Sequence, residues 1–365
     1  MPQPVRVAVA GTSWWADSMY LPAIAQHPNV EVVGAAGRNA DRAQAFVDRW
    51  EIGAAFTDYG QMIEATKPDA VIIATANAAH LDQTLMALDA GAHVLCEKPM
   101  GLSADEAQQM ADAAARAGAI TMVPFTYRWM PSNLWIKRLI DDGWLGRNFH
   151  LTMRYFTGFA LDGEYTWRFD AAHGGGMFGD LGTHWLYLAR WFFGEITTVQ
   201  STVRTFVERE PRPDGTPPDP VEDSAVVTVG FESGAYGVLQ FSAVCWEGTS
   251  FGQVHEFDAH GDAGTLHAIN DWQQTQEVRG VKRGEPGPAA VLPIPDDIWN
   301  GCRSDTVHNT YRDVFRTTPA MTRGWIDSII EGRPTDVDFA VGARIAHIAE
   351  AAKASVDANG AIVAV

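Results

Sequence analysis

The chain has 365 residues, 46% hydrophobic and 20% charged, with 27 Lys and Arg against 45 Asp and Glu for a formal charge of −18. That length suits two domains, and an acidic surplus spread along the chain repels nucleic-acid phosphates and anionic lipid, so neither is expected as a partner. No apolar run reaches the ~18 residues of a membrane span, and MPQPVRVAVAG lacks the basic and long apolar regions of a secretory leader, so a cytoplasmic location is expected. Cys96, Cys245 and Cys302 are widely separated and without CxxC spacing, which suggests neither a disulfide framework nor a zinc site. The 13 Trp are many for this length, and several fall near polar motif residues. Such rings suit a pocket that stacks sugar or nicotinamide, although core packing accounts for any one of them.

Up to about residue 123, short apolar runs alternate with amphipathic stretches. VRVAVA, VEVVGAA, AVIIAT, HVLCE and AITMVPF read as strands, while LDQTLMALDAGA and SADEAQQMADAAARAG read as helices closed by Gly91 and Gly118. This alternation predicts a doubly wound parallel sheet over residues 1–123. From residue 124 a helix near 131–142 leads into FHLTMRYF, ITTVQSTVRTFV, SAVVTVGFE, GAYGVLQFSAV and QVHEFDAHG. Consecutive strands of this kind predict an α+β domain over 124–365 with a mostly antiparallel, open sheet. EREPRPDGTPPDPV, with Glu222, reads as a mobile proline-rich insertion over 209–222. The last helix, from Asp338 to Gly360, has an apolar stripe that suits either domain.

VAVAGTSWWADSMY has the strand-turn-helix setting of a dinucleotide loop, with Gly11, Ser13 and Ala16 where G-x-G-x-x-G has three glycines. Gly11 suits the tight turn, and Ala16 permits close packing of helix on strand. Ser13 is small and adds a hydroxyl, with Thr12 and Trp14 beside it. A plain structural turn is the alternative. At the end of VEVVGAA stand Gly37, Arg38 and Asn39, with no carboxylate for a ribose 2′-hydroxyl; Arg38 suits a 2′-phosphate or adenine, which leans toward NADP over NAD. ATANAAH carries Thr75, Asn77 and His80 at the next strand end, where ligand contact and helix capping are both open for Thr75 and Asn77.

HVLCEKPMG ends an apolar strand in Glu97, Lys98 and Pro99, a solvated charged loop on its own but a candidate for chemistry beside a dinucleotide site. FDAAHGGGMFGDLGTHWLYLARWFFG puts Asp180, His184, Tyr187 and Trp191 on one helical face, with an apolar face about 100° away. A lone His there is commonly a core residue. An Asp one turn before it changes that, because carboxylate and imidazole together orient a hydroxyl and move its proton. His173 with His184 lacks a third ligand at metal spacing, so no metal is assigned.

With EKP, ATANAAH, GGGMFGDLGTH, TYRWMP and YTWRFD in this order, the chain resembles the Gfo/Idh/MocA family of sugar and cyclitol oxidoreductases nearly end to end. The resemblance implies a Rossmann domain followed by an α/β domain whose open sheet forms oligomer contacts, hence a homo-oligomer, dimer or tetramer. It implies Lys98 as catalytic acid/base, Glu97 placing it and the nicotinamide, Pro99 fixing the turn, often through a cis bond, and Asp180 and His184 as the rest of the catalytic set. Tyr127, Arg128, Arg154, Trp167, Arg168 and Tyr187 are expected on the substrate side with Asp180 and His184. Convergence of several arginines would select an anionic sugar, while each Arg has a structural ion pair as its alternative. Ser13, Gly37 and Tyr187 depart from the family pattern, the last standing where an Asp frequently follows the histidine. The expected function is an NAD(P)-dependent oxidoreductase acting on a secondary hydroxyl of a sugar, glycoside or cyclitol. A glycoside hydrolase working by transient oxidation, elimination, hydration and re-reduction needs the same groups. A nucleotide-dependent regulatory protein is the third reading, and retention of Lys98, Asp180 and His184 argues against it.

Overall fold

Apolar runs with no polar face need cover on both sides, and here they form a parallel sheet. β1 (Val5–Ala10), β2 (Val30–Ala36), β3 (Ala55–Phe56), β4 (Ala70–Ile73), β5 (His93–Cys96) and β6 (Thr121–Met122) pair in the order β3-β2-β1-β4-β5-β6, all parallel. The order reverses between β1 and β4, so the crevice outside their carboxyl ends, at Ala10 and Ile73, is where such sheets take ligands. In this computed structural model residues 3–171, 176–245 and 253–365 are described. The chain divides into two units, Met1–Phe125 with Arg312–Ala346, and Thr126–Tyr311 with His347–Val365.

In the first unit a π turn at Ala16–Tyr20 leads into α1 (Leu21–Ile24), followed by α2 (Ala40–Trp50), α3 (Tyr59–Thr66), α4 (His80–Asp89) and α5 (Ala104–Ala117). Asn39, Asp58 and Ser103 cap three of these helices by accepting from the N–H groups of Arg42, Gln61 and Glu106. The returning segment 312–346 is bound to the unit by the fully buried Trp325, whose Nε1 donates to Ile120 O at 3.2 Å. Val123 N also donates to Val337 O at 2.8 Å, and Arg316 Nε to Ser18 O at 2.7 Å.

In the second unit β7 (Asn148–Thr157), β8 (Ile196–Arg204), β9 (Ser224–Phe231), β10 (Tyr236–Ser242), β11 (Gln253–Gly261), β12 (Gly264–Asp271), β13 (Glu277–Lys282), β14 (Ala290–Val291) and β15 (Val363–Ala364) form a second sheet. Their order is β14-β13-β12-β11-β7-β10-β9-β8-β15, and only the β7–β10 pair is parallel among the described residues. Strand alternation decides the faces. Leu151, Met153 and Tyr155 of β7, Leu239 and Phe241 of β10, and Phe257 and Ala259 of β11 are buried. The helices α6 (Pro131–Asp141) and α7 (Thr183–Phe193) pack on the sheet, α7 against β7 and β10 and α6 against β13.

The insertion expected to be mobile is pinned instead. Arg212 donates to the fully buried Asp170 through Nε at 2.6 Å and Nη2 at 2.8 Å. Arg209 pairs with the equally buried Asp223 at 3.2 Å, and Asp223 also accepts from the N–H groups of Phe206 and Val207. Buried carboxylates with charge-assisted partners fix this backbone despite its proline-rich composition.

Candidate active site

The loop after β1 turns on Gly11, at φ 104°, where a Cβ would stand 2.3 Å from the Ala74 carbonyl oxygen. Glycine alone lets the loop pass this close to the end of β4. Ala16 is fully buried, Thr12 half-buried, and Ser13 and Trp14 exposed. A Cβ at Gly37 would lie 2.3 Å from Thr12 Oγ1, so Thr12 fills the space that a carboxylate at position 37 would need. Arg38 is exposed just beyond β2, and Asn39 is used as the cap of α2.

Thr75 and Asn77 follow β4, and neither caps the short 3-10 turn Asn77–Ala79. Thr75 Oγ1 donates to Gln83 Oε1 at 2.7 Å, while the Asn77 amide nitrogen is buried without a hydrogen-bond partner. His80, expected at the cofactor, has no exposed surface. Its Nδ1 lies 2.9 Å from Pro99 O and its Nε2 3.3 Å from Thr75 O, and burial lowers its pKa below 6.5. The enclosed imidazole thus lies between the Pro99 and Thr75 carbonyls and braces the Lys98–Pro99 turn.

β5 delivers Glu97, Lys98 and Pro99 at its carboxyl end, with a cis Lys98–Pro99 bond. The Glu97 carboxylate is buried and accepts from Trp15 Nε1, Tyr20 Oη and, at 3.1 Å, Lys98 N. Burial pushes its pKa up, opposed by the Tyr20 bond, the Lys98 ammonium and the Trp15 bond. Glu97 is thus anchored by the helical turn that follows the Gly11 loop, while Lys98 beside it is half-buried. Sequence reasoning passed over Trp15 and Tyr20, since nothing in their local pattern marks a partner some eighty residues away.

In the second unit a π turn, Phe178–Gly182, carries Asp180 into α7 and His184 follows in its first turn. Arg168 Nε donates to Asp180 Oδ2 at 2.9 Å. His184 is buried, its ring centroid 4.7 Å from that of Tyr127. Tyr127 Oη lies 2.8 Å from Tyr155 Oη, and Gln253 Nε2 donates to Tyr155 Oη at 2.6 Å. Burial pushes both phenols above the ordinary tyrosine range, and the Asp180 charge adds to this, so they stay protonated. His255 Nε2 accepts from Gln253 Nε2 at 3.1 Å, and burial pushes its pKa down to about 3. Tyr155, Gln253 and His255 are thus part of this polar cluster although the motifs did not include them; only strand alternation placed Tyr155 and His255 on the helix-covered face.

Three expected substrate residues have protein partners. Arg154 pairs with Glu256 across β7 and β11 at 2.8 Å, on the sheet face opposite Tyr155. Tyr187 is 2% exposed and its hydroxyl accepts from Arg128 Nη1 at 2.6 Å, while the Arg128 guanidinium lies over Trp191 at 4.6 Å. Arg168 is paired with Asp180, Arg128 with Tyr187 and Arg154 with Glu256. Trp167, beside Arg168, is 41% exposed. Among the described residues no group of three or more His, Cys, Asp or Glu is placed to hold a metal ion, and His173 and the glycines before Gly176 lie outside them.

Comparison with known families sets these features in context. A sequence model for the oxidoreductase family with an NAD-binding Rossmann fold matches residues 5–125, and one for the GFO/IDH/MocA C-terminal domain matches 134–267. The chain belongs to the GFO/IDH/MocA oxidoreductase family. It is an oxidoreductase with an NAD-binding Rossmann domain, similar to the D-glucoside 3-dehydrogenase of Escherichia coli (28% identical over 260 residues, 68% of this chain and 70% of the relative). The levoglucosan dehydrogenase of Pseudarthrobacter phenanthrenivorans is 26% identical over 271 residues, 67% of this chain and 68% of the relative. A solved structure of levoglucosan dehydrogenase in complex with NADH and levoglucosan shares the fold, with a TM-score of 0.86 at 22% identity over 100% of this chain and 99% of that one. The GFO/IDH/MocA assignment fits the crevice. Gly11 brings the loop against the Ala74 carbonyl, where no Cβ fits, and the orphaned Asn77 amide offers a buried donor at the end of β4. Among the described residues no helix is long and apolar enough to cross a membrane.

Proposed function

We propose that the protein oxidises a secondary hydroxyl of a sugar, glycoside or cyclitol, or reduces the corresponding ketone. The observation that carries this reading is the Glu97–Lys98–Pro99 turn, held beside the dinucleotide loop by Trp15 and Tyr20. The two sugar dehydrogenases named above support the substrate class. When bound, the nicotinamide accepts or returns the hydride. The Gly11–Trp14 loop, Thr75 and Asn77 hold the dinucleotide in the first unit, and Arg38, with no carboxylate beside it, favours the 2′-phosphate of NADP. Lys98 Nζ, or the imidazole of His184, takes the hydroxyl proton; Asp180, fixed by Arg168, orients the hydroxyl. Tyr127 and Tyr155 stay protonated; one phenol proton is used in the bond between them and the other is left for a sugar oxygen. The second unit is the substrate domain, and the uncovered face of its sheet joins copies of the chain into a dimer or tetramer in the cytoplasm.

The test is nicotinamide reduction measured with methyl glucosides, free sugars and inositols, using NAD+ and NADP+ in turn. Reduction with one of these classes supports the reading, and none with any of them would sink it. Nicotinamide retained near one per chain after purification, together with glycoside cleavage and no net reduction, would replace it with the redox-neutral hydrolase.

A further inference from the structure

Phe159, Leu161 and Trp167 are 42%, 41% and 41% exposed, a concentration of large apolar side chains within nine residues of the second unit. Arg168 lies among them. Its guanidinium carbon is 4.7 Å from the Trp167 ring centroid and 6.0 Å from that of Phe159, while its Nε holds Asp180 Oδ2 at 2.9 Å. One side chain thus joins the candidate catalytic carboxylate to the exposed rings.

The segment bearing the rings is fixed from both ends. Asp170, fully buried, accepts from Arg212 Nε, from Arg212 Nη2 and, at 3.1 Å, from Tyr165 Oη. At the other end Arg209 Nη1 donates to Ala160 O at 2.5 Å, and its guanidinium lies 4.1 Å from the centroid of Phe169, whose ring is 5.8 Å from that of Phe159. Ala160 N also donates to Ala243 O at 3.0 Å, and Glu210 N to Gly163 O at 2.9 Å. Buried ion pairs and hydrogen bonds thus fix the backbone that carries the rings, and exposed apolar rings beside a polar site are what stacking recognition needs.

We propose that Phe159, Trp167 and the Arg168 guanidinium form a subsite for the group joined to the oxidised sugar through its glycosidic oxygen. That group is an aryl ring or the apolar CH face of a second pyranose, so the preferred substrate is a glycoside larger than a monosaccharide. This rests on the sugar-oxidoreductase reading above. Arg168 links occupancy of the subsite to the placement of Asp180.

The full chain with NAD+ and, in turn, NADP+ is titrated calorimetrically with methyl β-D-glucoside, phenyl β-D-glucoside and cellobiose, and nicotinamide reduction is followed with the same three. Phenyl β-D-glucoside or cellobiose is expected to bind at least about tenfold more tightly than the methyl glycoside, because more apolar surface is covered. Trp167→Ala and Phe159→Ala should shrink that ratio to about twofold, while Trp167→Tyr restores it, which a folding defect would not allow. Equal affinities in the native protein, or a ratio that survives both alanine substitutions, overturn the subsite. Reduction without discrimination would remove the subsite and leave the oxidoreductase reading standing. Discriminating binding without any reduction would do the reverse.

Discussion

A methyl group at position 11 would stand 2.3 Å from the Ala74 carbonyl oxygen on backbone at φ 104°. Gly11→Ala is therefore expected to weaken dinucleotide binding at least about tenfold and to cost about 1–3 kcal/mol of stability, read by NADH fluorescence titration and thermal unfolding. Unchanged affinity would show that the loop does not cradle the cofactor. Positions 12 and 37 form a steric pair, with Thr12 Oγ1 where a side chain at 37 would begin. Arg38→Ala should reduce affinity for NADP+ relative to NAD+ by about tenfold, through loss of a charge-assisted contact to the 2′-phosphate. An unaltered ratio would separate Arg38 from the choice of cofactor. Gly11, Lys98, Asp180 and His184 could be named as candidates because each stands in a contiguous pattern. The partners of Glu97 were not: Trp15 and Tyr20 lie 82 and 77 residues away, and His80 faces inward where the helix start alone suggested a ligand contact.

Among the elements, the strands through β11 were mostly readable from alternating or continuous apolar runs. β3, with two residues, was too short to show a pattern, and β12 to β15 lie in stretches that no motif marked. Alternation also explains why Arg154 and Tyr155, adjacent in β7, serve opposite faces. In the insertion the composition signalled a solvated loop because the carboxylates that fix it, Asp170 and Asp223, fall outside its proline-rich stretch. Asp223→Ala strands Arg209, whose side chain is 4% exposed, so it should destabilise the protein by about 3–5 kcal/mol in denaturant unfolding. A loss under about 1 kcal/mol would mean the insertion is not braced by this pair.

For the whole molecule, the sequence suggested one boundary near residue 123, yet 312–346 folds with the first unit, tied there by Trp325 and Val337. Its helices carry ordinary apolar stripes, and a stripe does not name the surface it will cover. Two buried histidines give the fold a pH dependence whose sign is set by burial. His255 has a folded pKa of about 3 and His80 is lowered in the same direction from 6.5. Between these limits the unfolded chain binds protons that the folded chain does not, so stability falls as pH drops below about 6.5. His255 alone should account for about 2 kcal/mol at pH 5, and His255→Gln should flatten the decline of Tm between pH 7 and 5. An undiminished decline would assign the effect to other groups.

The measurement that most directly tests the proposed chemistry compares Lys98→Ala with the native protein, following nicotinamide reduction on the best glycoside and NADH affinity by fluorescence. The account predicts turnover reduced by about 10²–10⁴-fold with NADH affinity within about threefold of native. Turnover equal to that of the native protein would contradict the role given to Lys98 and the reading built on the turn that carries it.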